Sequence, residues 1–199
     1  MADAIPTIRV PDRLQIDELV LRPPVTDDIP AIVEACQDPE IPRFTTVPSP
    51  YGEADAVGHL ETCEREWSDG SGAPFVVVDA DTDELLGSMG LMRLDDEGAT
   101  VEIGYWIAAA ARGRGVGTRS ARVVTAAALA GGAQRIELRA MVENAGSRRI
   151  AERVGYTLEG VLRSVHSAAC SRDRIDLALY SMLPSDAAAR ELLADSAIA

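Results

Sequence analysis

Residues 101–118 read VEIGYWIAAAARGRGVGT, and this stretch decides the fold. Its first part is rich in β-branched and aromatic residues, which predicts a buried strand. The second part has three glycines at alternate positions (113, 115 and 117), and the Ala- and Val-rich stretch that follows predicts a long helix ending at Gly131. Such a strand-loop-helix unit binds anions, because glycines let the backbone approach a phosphate and the first N–H groups of the helix point towards it.

The charges around these glycines reverse the sign of the rest of the chain. The 199 residues contain 32 acidic and 19 basic residues, a formal charge of -13, yet Arg112, Arg114 and Arg119 cluster at this loop. An acidic chain repels phosphate backbones, so nucleic acid is not an expected partner. Every basic residue is an arginine, and the lack of lysine excludes a Walker phosphate loop and Schiff-base chemistry.

Two other interpretations of the loop remain open at this point. A dinucleotide-binding fold needs G-x-G-x-x-G and an acidic residue about 20 positions later, whereas the glycines here follow G-x-G-x-G. Glu137 is near that distance but lies in the middle of the predicted strand RIELRA rather than at its end. The loop could also be an ordinary strand-to-helix turn without a ligand.

The elements around this unit predict one α+β domain with a mixed sheet. Two helices follow the first strand, then come a hairpin and a third antiparallel strand; after the loop and its helix, a strand precedes a last helix and two last strands. The predicted strands are residues 18–22, 73–80, 85–94, 100–107, 135–142, 156–165 and 175–183; the predicted helices start near 26 and cover 53–67, 118–130 and 147–154. Residues 39–50 hold four prolines and are predicted to form a loop.

Length and composition fit a single domain bounded by a short arm and a tail. We expect residues 1–17 to form a loosely held N-terminal arm, 18–184 the domain, and 185–199 a C-terminal helix or tail. No basic segment precedes an apolar run, and no apolar stretch reaches the length of a membrane span, so a cytoplasmic protein without a membrane partner is expected. The three cysteines are far apart and do not form a disulfide framework.

Several short motifs together resemble the GNAT superfamily of acetyl-CoA-dependent N-acetyltransferases. Arg112, Gly115 and Gly117 form R-x-x-G-x-G, Asn144 begins N-x-x-S, and Gly155-Tyr156 precedes TLEG at 157–160. The upstream strand EIGYWI, with Asp176 and Tyr180 in the last strand, is similar to the RimJ/RimL type, which acetylates α-amino groups of ribosomal proteins. The resemblance implies a bacterial enzyme with a mostly antiparallel central sheet flanked by about four helices.

The resemblance also implies which residues contact the co-substrate. The glycine loop would cradle the diphosphate of coenzyme A, and the end of the strand before it would make sheet-like hydrogen bonds with pantetheine. Asn144 would face pantetheine from the neighbouring strand end. The implied cofactor-binding residues are Ile107, Ala108, Arg112, Gly113, Arg114, Gly115, Val116, Gly117, Thr118 and Asn144.

Transfer of an acetyl group to an amine needs a base for the amine and a proton for the leaving thiolate. Glu102 stands on the central strand and is a candidate base with a raised pKa, unless it faces solvent or pairs with an arginine. His166 is the second candidate base, or else an exposed loop histidine. Many superfamily members carry a tyrosine acid at the position of Ala151, so Ser147 is the candidate acid here, unless it only caps the following helix.

The acceptor is the least constrained part of the sequence interpretation. By resemblance we expect a protein N-terminal α-amine; a small cationic amine (an amino sugar, polyamine or antibiotic) and a non-catalytic acyl-CoA-binding module remain alternatives. Loops at 39–52 and 164–173 would flank the acceptor. The spacing of His59 and Cys63 provides no second ligand pair, so no metal is expected. The chain is expected to be a monomer or homodimer.

Overall fold

A computed structural model describes residues 9–93, 99–167 and 174–195. In chain order the elements of these residues are β1 Leu14–Ile16, β2 Leu19–Arg22, α1 Ile29–Ala35, α2 Glu40–Phe44, α3 Glu53–Asp69, β3 Gly72–Asp79, β4 Leu85–Arg93, β5 Thr100–Ile107, α4 Val116–Ala130, β6 Arg135–Met141, α5 Ala145–Val154, β7 Thr157–Ser167, β8 Arg174–Met182 and α6 Ala187–Ala194. Short 3-10 turns precede α1 (Thr26–Asp28) and follow β5 (Ala109–Ala111). Within these described ranges, no helix is both long and apolar enough to cross a membrane.

The strands form one sheet in the order β1-β2-β3-β4-β5-β6-β8-β7. All neighbours are antiparallel except β5 and β6, which are parallel. This confirms the predicted α+β class and its mixed, mostly antiparallel sheet. The described residues contain six α-helices rather than about four, because α2 lies inside the predicted loop and α6 occupies the tail.

The sheet separates two apolar layers. On one face Val123 and Val124 of α4 pack with Phe75 and Val77 of β3 in a core that also includes α5 and α6. On the other face Val76 and Val78 contact a smaller core built from α1, α2 and α3. Successive residues of a strand point to opposite faces, so β3 contributes to both layers. The unit of β5, loop and α4 lies at the centre of this arrangement.

Three boundaries differ from the sequence prediction. Leu14–Ile16, placed in the loosely held arm, pairs with β2 and buries Leu14 and Ile16, so order begins before residue 18. Residues 164–167 belong to β7 rather than to a loop. The segment 40–44 is helical although proline-rich, because Pro39 is the N-cap and Pro42 lies in the first turn, where no intrahelical N–H bond is lost.

Candidate active site

β5 and β6 separate soon after they begin, which opens the sheet at its centre. Their parallel pairing joins Thr100 to Arg135, Val101 to Ile136 and Glu102 to Glu137 and does not extend further. β4 in contrast follows β5 to its end, and Ala108 N–H still donates to Leu86 C=O at 3.0 Å. From Ile103 onward, one edge of β5 therefore has no neighbouring strand among the described residues.

The open edge of β5 presents backbone groups to a ligand. Antiparallel partners alternate, so the bond from Ala108 N–H to β4 directs the peptide groups of Tyr105 and Ile107 away from β4 and into the opening. Ile107 C=O accepts a bond from Arg112 Nε at 3.1 Å, which leaves the Ile107 N–H for a ligand. Ala108 offers fewer free backbone groups than Ile107, because its N–H is bonded to Leu86 and its C=O accepts from Ala111 N–H at 2.9 Å.

The glycine loop has the backbone shape of an anion site. Gly113 and Gly115 have φ of 77° and 80°, in the left-handed region that side chains disfavour. No side chain caps α4 at Gly115, so within the described chain the N–H groups of its first turn, Val116, Gly117 and Thr118, have no partner. Free N–H groups and the positive end of the helix dipole together attract a phosphate.

Gly117 serves packing as well. A Cβ placed there would lie 2.7 Å from Ile150 Cδ1 and 3.3 Å from Ile107 Cγ1. Ile150 Cδ1 is the end of a flexible side chain, so a small residue at 117 requires that side chain to shift. A bulky residue at 117 would displace Ile150 and Ile107 and so disturb the packing of α4 against α5 and the end of β5.

Two of the three loop arginines are bound to carboxylates. Arg112 forms an ion pair of 2.5 Å with Asp38, in the connection between α1 and α2. Arg119 pairs with Glu18 at 2.8 Å and with Asp17 at 3.3 Å. Arg114 is exposed and forms no ion pair with another described residue, so its charge is available to an anion.

Ser147 lies across the opening from β5, and both its backbone N–H and its hydroxyl form hydrogen bonds. Asn144 is the N-cap of α5, and its Oδ1 accepts a bond from Ser147 N–H at 3.0 Å. The Ser147 hydroxyl lies 2.8 Å from the hydroxyl of Tyr105 on β5. Ser147 is therefore not the helix cap, which was the alternative to a role as acid. Asn144 has the capping role, and its side-chain oxygen is already used.

Glu102 lies on the other face of β5 from Tyr105, beside the start of the opening. Its side chain is 18% exposed, and Arg139 Nε lies 3.7 Å from Oε2. Burial raises the pKa of Glu102; Arg139 lowers it in part, and the neighbouring Glu137 raises it again. Both anticipated features, the raised pKa and the pairing with an arginine, are present, and Arg139 is held more closely by Glu137 at 2.7 Å.

The other sequence candidates are less well defined. The backbone of His166 pairs with Ile175 within β7 and β8, so His166 is not on a loop; its side chain and Cys170 lie outside what the structure describes. Cys63 Sγ lies 3.5 Å from His59 Nε2, but burial raises the pKa of the Cys63 thiol to about 12 and lowers that of His59. No group of three metal-ligating side chains occurs among the described residues.

Tyr105 is the site residue that sequence reasoning missed. The alternation in EIGYWI places Tyr105 on the same face as Ile103 and Ile107, which suggests a core residue. Its hydroxyl partner is 42 positions away on α5. A buried tyrosine needs a partner for its hydroxyl, and that requirement was the one available signal.

The arrangement of a split parallel pair, a glycine loop and an uncapped helix defines an acetyltransferase of the GNAT fold. Residues 18–157 match the family described as "Acetyltransferase (GNAT) domain". This match covers more than half of the chain. The chain belongs to the GNAT family and is an acetyl-CoA-dependent N-acetyltransferase.

Known proteins similar to the chain include acetyltransferases of bacteria. An uncharacterized N-acetyltransferase p20 of Bacillus licheniformis is 23% identical over 174 residues, 86% of this chain and 96% of its own. A ribosomal-protein-serine acetyltransferase of Escherichia coli is 29% identical over 96 residues, 48% of this chain and 54% of its own. The structure of RimL, a ribosomal L7/L12 α-N-protein acetyltransferase in complex with coenzyme A, superimposes with a TM-score of 0.77 at 19% identity, covering 86% of this chain and 97% of RimL.

Proposed function

We propose that the chain transfers the acetyl group of acetyl-CoA to the α-amino group of a protein N-terminus. The observation that carries the proposal is the opening between β5 and β6, with Glu102 at its start and the Ser147 hydroxyl across it. The similar RimL acts on the α-amine of ribosomal L7/L12, and a second relative is a ribosomal-protein-serine acetyltransferase. A chain with a formal charge of -13 also suits a cationic substrate.

In this proposal the co-substrate uses the groups that the fold leaves without partners. The diphosphate of acetyl-CoA binds the N–H groups of Val116, Gly117 and Thr118, close to Arg114, whose guanidinium pairs with no carboxylate in the described part of the chain. Pantetheine lies along the open edge of β5 and bonds the Ile107 N–H. The side-chain nitrogen of Asn144 has no bond to another described residue and can donate to pantetheine from the opposite side.

The reaction forms a C–N bond and breaks the C–S bond of the thioester. The neutral amine attacks the carbonyl carbon, and the attacking nitrogen loses one proton to the Glu102 carboxylate, directly or through a water molecule. The electron pair of the C–S bond goes to sulfur. The thiolate takes up one proton from water while Glu102 releases to water the proton that it took from nitrogen, so one proton leaves the nitrogen and one reaches the sulfur. A carboxylate with a raised pKa is a better base than an ordinary glutamate. The Ser147 hydroxyl stabilises the departing sulfur by hydrogen bonding.

The acceptor approaches from the face that α1, α2 and α3 cover. Glu102 and Trp106 lie four positions apart on β5 and share a face, and Trp106 packs against the core of these three helices. Two ion pairs link the segment of α2 and the connection before it to both sides of the opening. Asp38 pairs with Arg112 of the loop, and Arg43 of α2 lies 3.8 Å from Glu143 after β6. This segment is well placed to contact the first residues of a peptide.

The test offers acetyl-CoA with peptides of different N-termini and measures thiol release together with the mass of the product. Peptides with free Ser, Ala or Met N-termini are compared with the same peptides blocked by N-acetylation, each carrying one internal lysine. The expected result is release with the free peptides, one added acetyl group on the N-terminal residue, and no release with the blocked ones. Polyamines, amino sugars and amine-containing antibiotics are assayed in parallel.

Each other outcome assigns a different function. Release with blocked peptides assigns the reaction to the lysine side chain. Thiol release only with a small amine would show that the enzyme acetylates a metabolite or an antibiotic. Binding of acetyl-CoA in a titration, without release for any acceptor, favours an acyl-CoA-binding module.

A further inference from the structure

The Ser147 hydroxyl has a partner whose role the proposed reaction does not yet include. We infer that Tyr105 is a positioning residue for acetyl transfer: its O–H donates to Ser147 Oγ and thereby directs the Ser147 proton towards the departing sulfur. The inference rests on the proposed function of Ser147. It assigns to Tyr105 no direct contact with substrate.

The hydroxyl of Ser147 can donate one further hydrogen bond. Ser147 N–H is bonded to Asn144 Oδ1 at 3.0 Å, which fixes the first turn of α5. Ser147 Oγ lies 2.8 Å from Tyr105 Oη, the usual distance for a hydrogen bond between two hydroxyls. A serine hydroxyl has one proton and two lone pairs, so accepting a bond from Tyr105 leaves the proton for another acceptor.

The direction of this bond follows from the surroundings of Tyr105. Among the residues that the structure describes, both acceptors within reach of its O–H are on Ser147, the Oγ at 2.8 Å and the C=O at 3.5 Å. Tyr105 packs at the edge of the core, and this burial raises its pKa to about 12, so the phenol keeps its proton at neutral pH. In this inference Tyr105 donates and Ser147 Oγ is the nearer of its two acceptors, since a phenol O–H is more acidic than a serine O–H.

The position at which the resemblance implied a tyrosine acid provides a second argument. Ala151 is fully buried at 0% exposure and lies within the core that α4 and α5 share. A tyrosine at 151 would need space that this packing does not contain. In this chain the phenol near the opening comes from β5 instead, and it acts through Ser147.

The test compares Tyr105→Phe with a matched control, Tyr156→Phe. Tyr156 is buried and Tyr105 is partly buried. The Tyr156 hydroxyl lies 2.8 Å from Thr125 Oγ1, so each variant removes one phenol hydroxyl from one hydrogen bond. Tyr156→Phe is expected to keep kcat within about twofold. Tyr105→Phe is expected to lower kcat about 5- to 10-fold, the value of one hydrogen bond, while KM for acetyl-CoA stays within about twofold. Urea unfolding of both variants measures the accompanying loss of stability.

A double-mutant cycle with Ser147→Ala separates positioning from general structural damage. If Tyr105 acts through Ser147, Tyr105→Phe has no further effect on kcat in the Ser147→Ala background. An unchanged kcat in Tyr105→Phe, an equal loss in Tyr156→Phe, or an additive loss in the double variant would overturn the inference. These outcomes test the inference only if the wild-type protein transfers acetyl groups. If the wild-type protein transfers none, the proposed function itself is wrong.

Discussion

Replacing Gly113 by alanine tests whether the glycine loop binds the diphosphate of acetyl-CoA. Gly113 has φ of 77°, and a Cβ there would meet no atom within 4 Å, so the change adds backbone strain without a collision. An L-residue in the left-handed region costs about 1–2 kcal/mol. We expect Gly113→Ala to lower the free energy of unfolding by this amount.

The expected loss of affinity follows from the groups that the loop presents. To relieve the strain at 113, the loop must rotate its peptide groups and so displace a bound anion from the N–H groups of the first turn of α4. Hydrogen bonds to a charged group contribute about 1.5–3 kcal/mol each. The loss of one such bond weakens binding of acetyl-CoA roughly 10- to 100-fold, since each 1.4 kcal/mol is a factor of ten.

Gly132→Ala is the matched control for this experiment. Gly132 also has a positive φ, of 103°, and a Cβ there would likewise meet no atom within 4 Å, but it follows the C-terminal end of α4. Both variants should lose similar stability in urea unfolding, and isothermal titration with acetyl-CoA should show weaker binding only for Gly113→Ala. Equal affinities for the two variants, whether both unchanged or both reduced, would refute the assignment of the loop.

Two further predictions concern titratable groups. Glu102 must be deprotonated to act as a base and its pKa lies above the ordinary 4.5, so kcat/KM should fall as the pH drops through that raised pKa. The amine must also be neutral, so two groups lose activity as the pH falls, and Glu102→Gln should reduce the slope of log kcat/KM below the Glu102 pKa from two to one, with roughly a 100-fold loss of rate. Arg139→Gln should move the Glu102 break to higher pH; a slope that stays at two in Glu102→Gln contradicts the assignment. Glu159 bonds both terminal nitrogens of Arg135 and the hydroxyl of Ser181, and its pKa is lowered to about 2. A lowered pKa stabilises the fold above the ordinary value of 4.5, and this contribution is lost as the pH falls towards 2. Glu159→Gln should therefore cost about 1 kcal/mol at pH 7, discounted for exposure, and less at pH 3 in urea unfolding.

The unit of β5, glycine loop and α4 could be predicted because its residues favour a strand, a turn and a helix locally and also suit the positions of these elements in the core. The strand predicted at 100–107 has the same bounds as β5, and the helix after it ends at the predicted glycine. β1 could not be predicted, because three residues are too short to show an alternating pattern. It is stabilised by pairing with β2 and by the burial of Leu14 and Ile16.

The sequence shows which residues of the site are charged, but not which of them form ion pairs. An arginine-rich loop in an acidic chain indicates an anion site, yet Arg112 is held by Asp38 from a connection 74 positions earlier. Arg119 is held by Asp17 and Glu18, which come before and at the start of the predicted domain. Such partners are chosen by tertiary structure, and only the fold shows that Arg114 forms no ion pair with another residue that the structure describes.

The acid side of the reaction shows most clearly why a motif is incomplete without the fold. The sequence offered Ser147 and lacked a tyrosine at 151, and from these two facts the chain could be either an enzyme with a weak acid or a module without turnover. The fold places Tyr105 of β5 against Ser147 of α5 and fills the space around Ala151 with core side chains. A hydroxyl at the edge of the core destabilises the fold if it has no hydrogen-bond partner. The hydroxyls of Tyr105 and Ser147 bond each other across the opening, so each has a partner. The missing tyrosine at 151 therefore does not by itself favour the module, since the same opening contains a phenol whose hydroxyl lies 2.8 Å from that of Ser147.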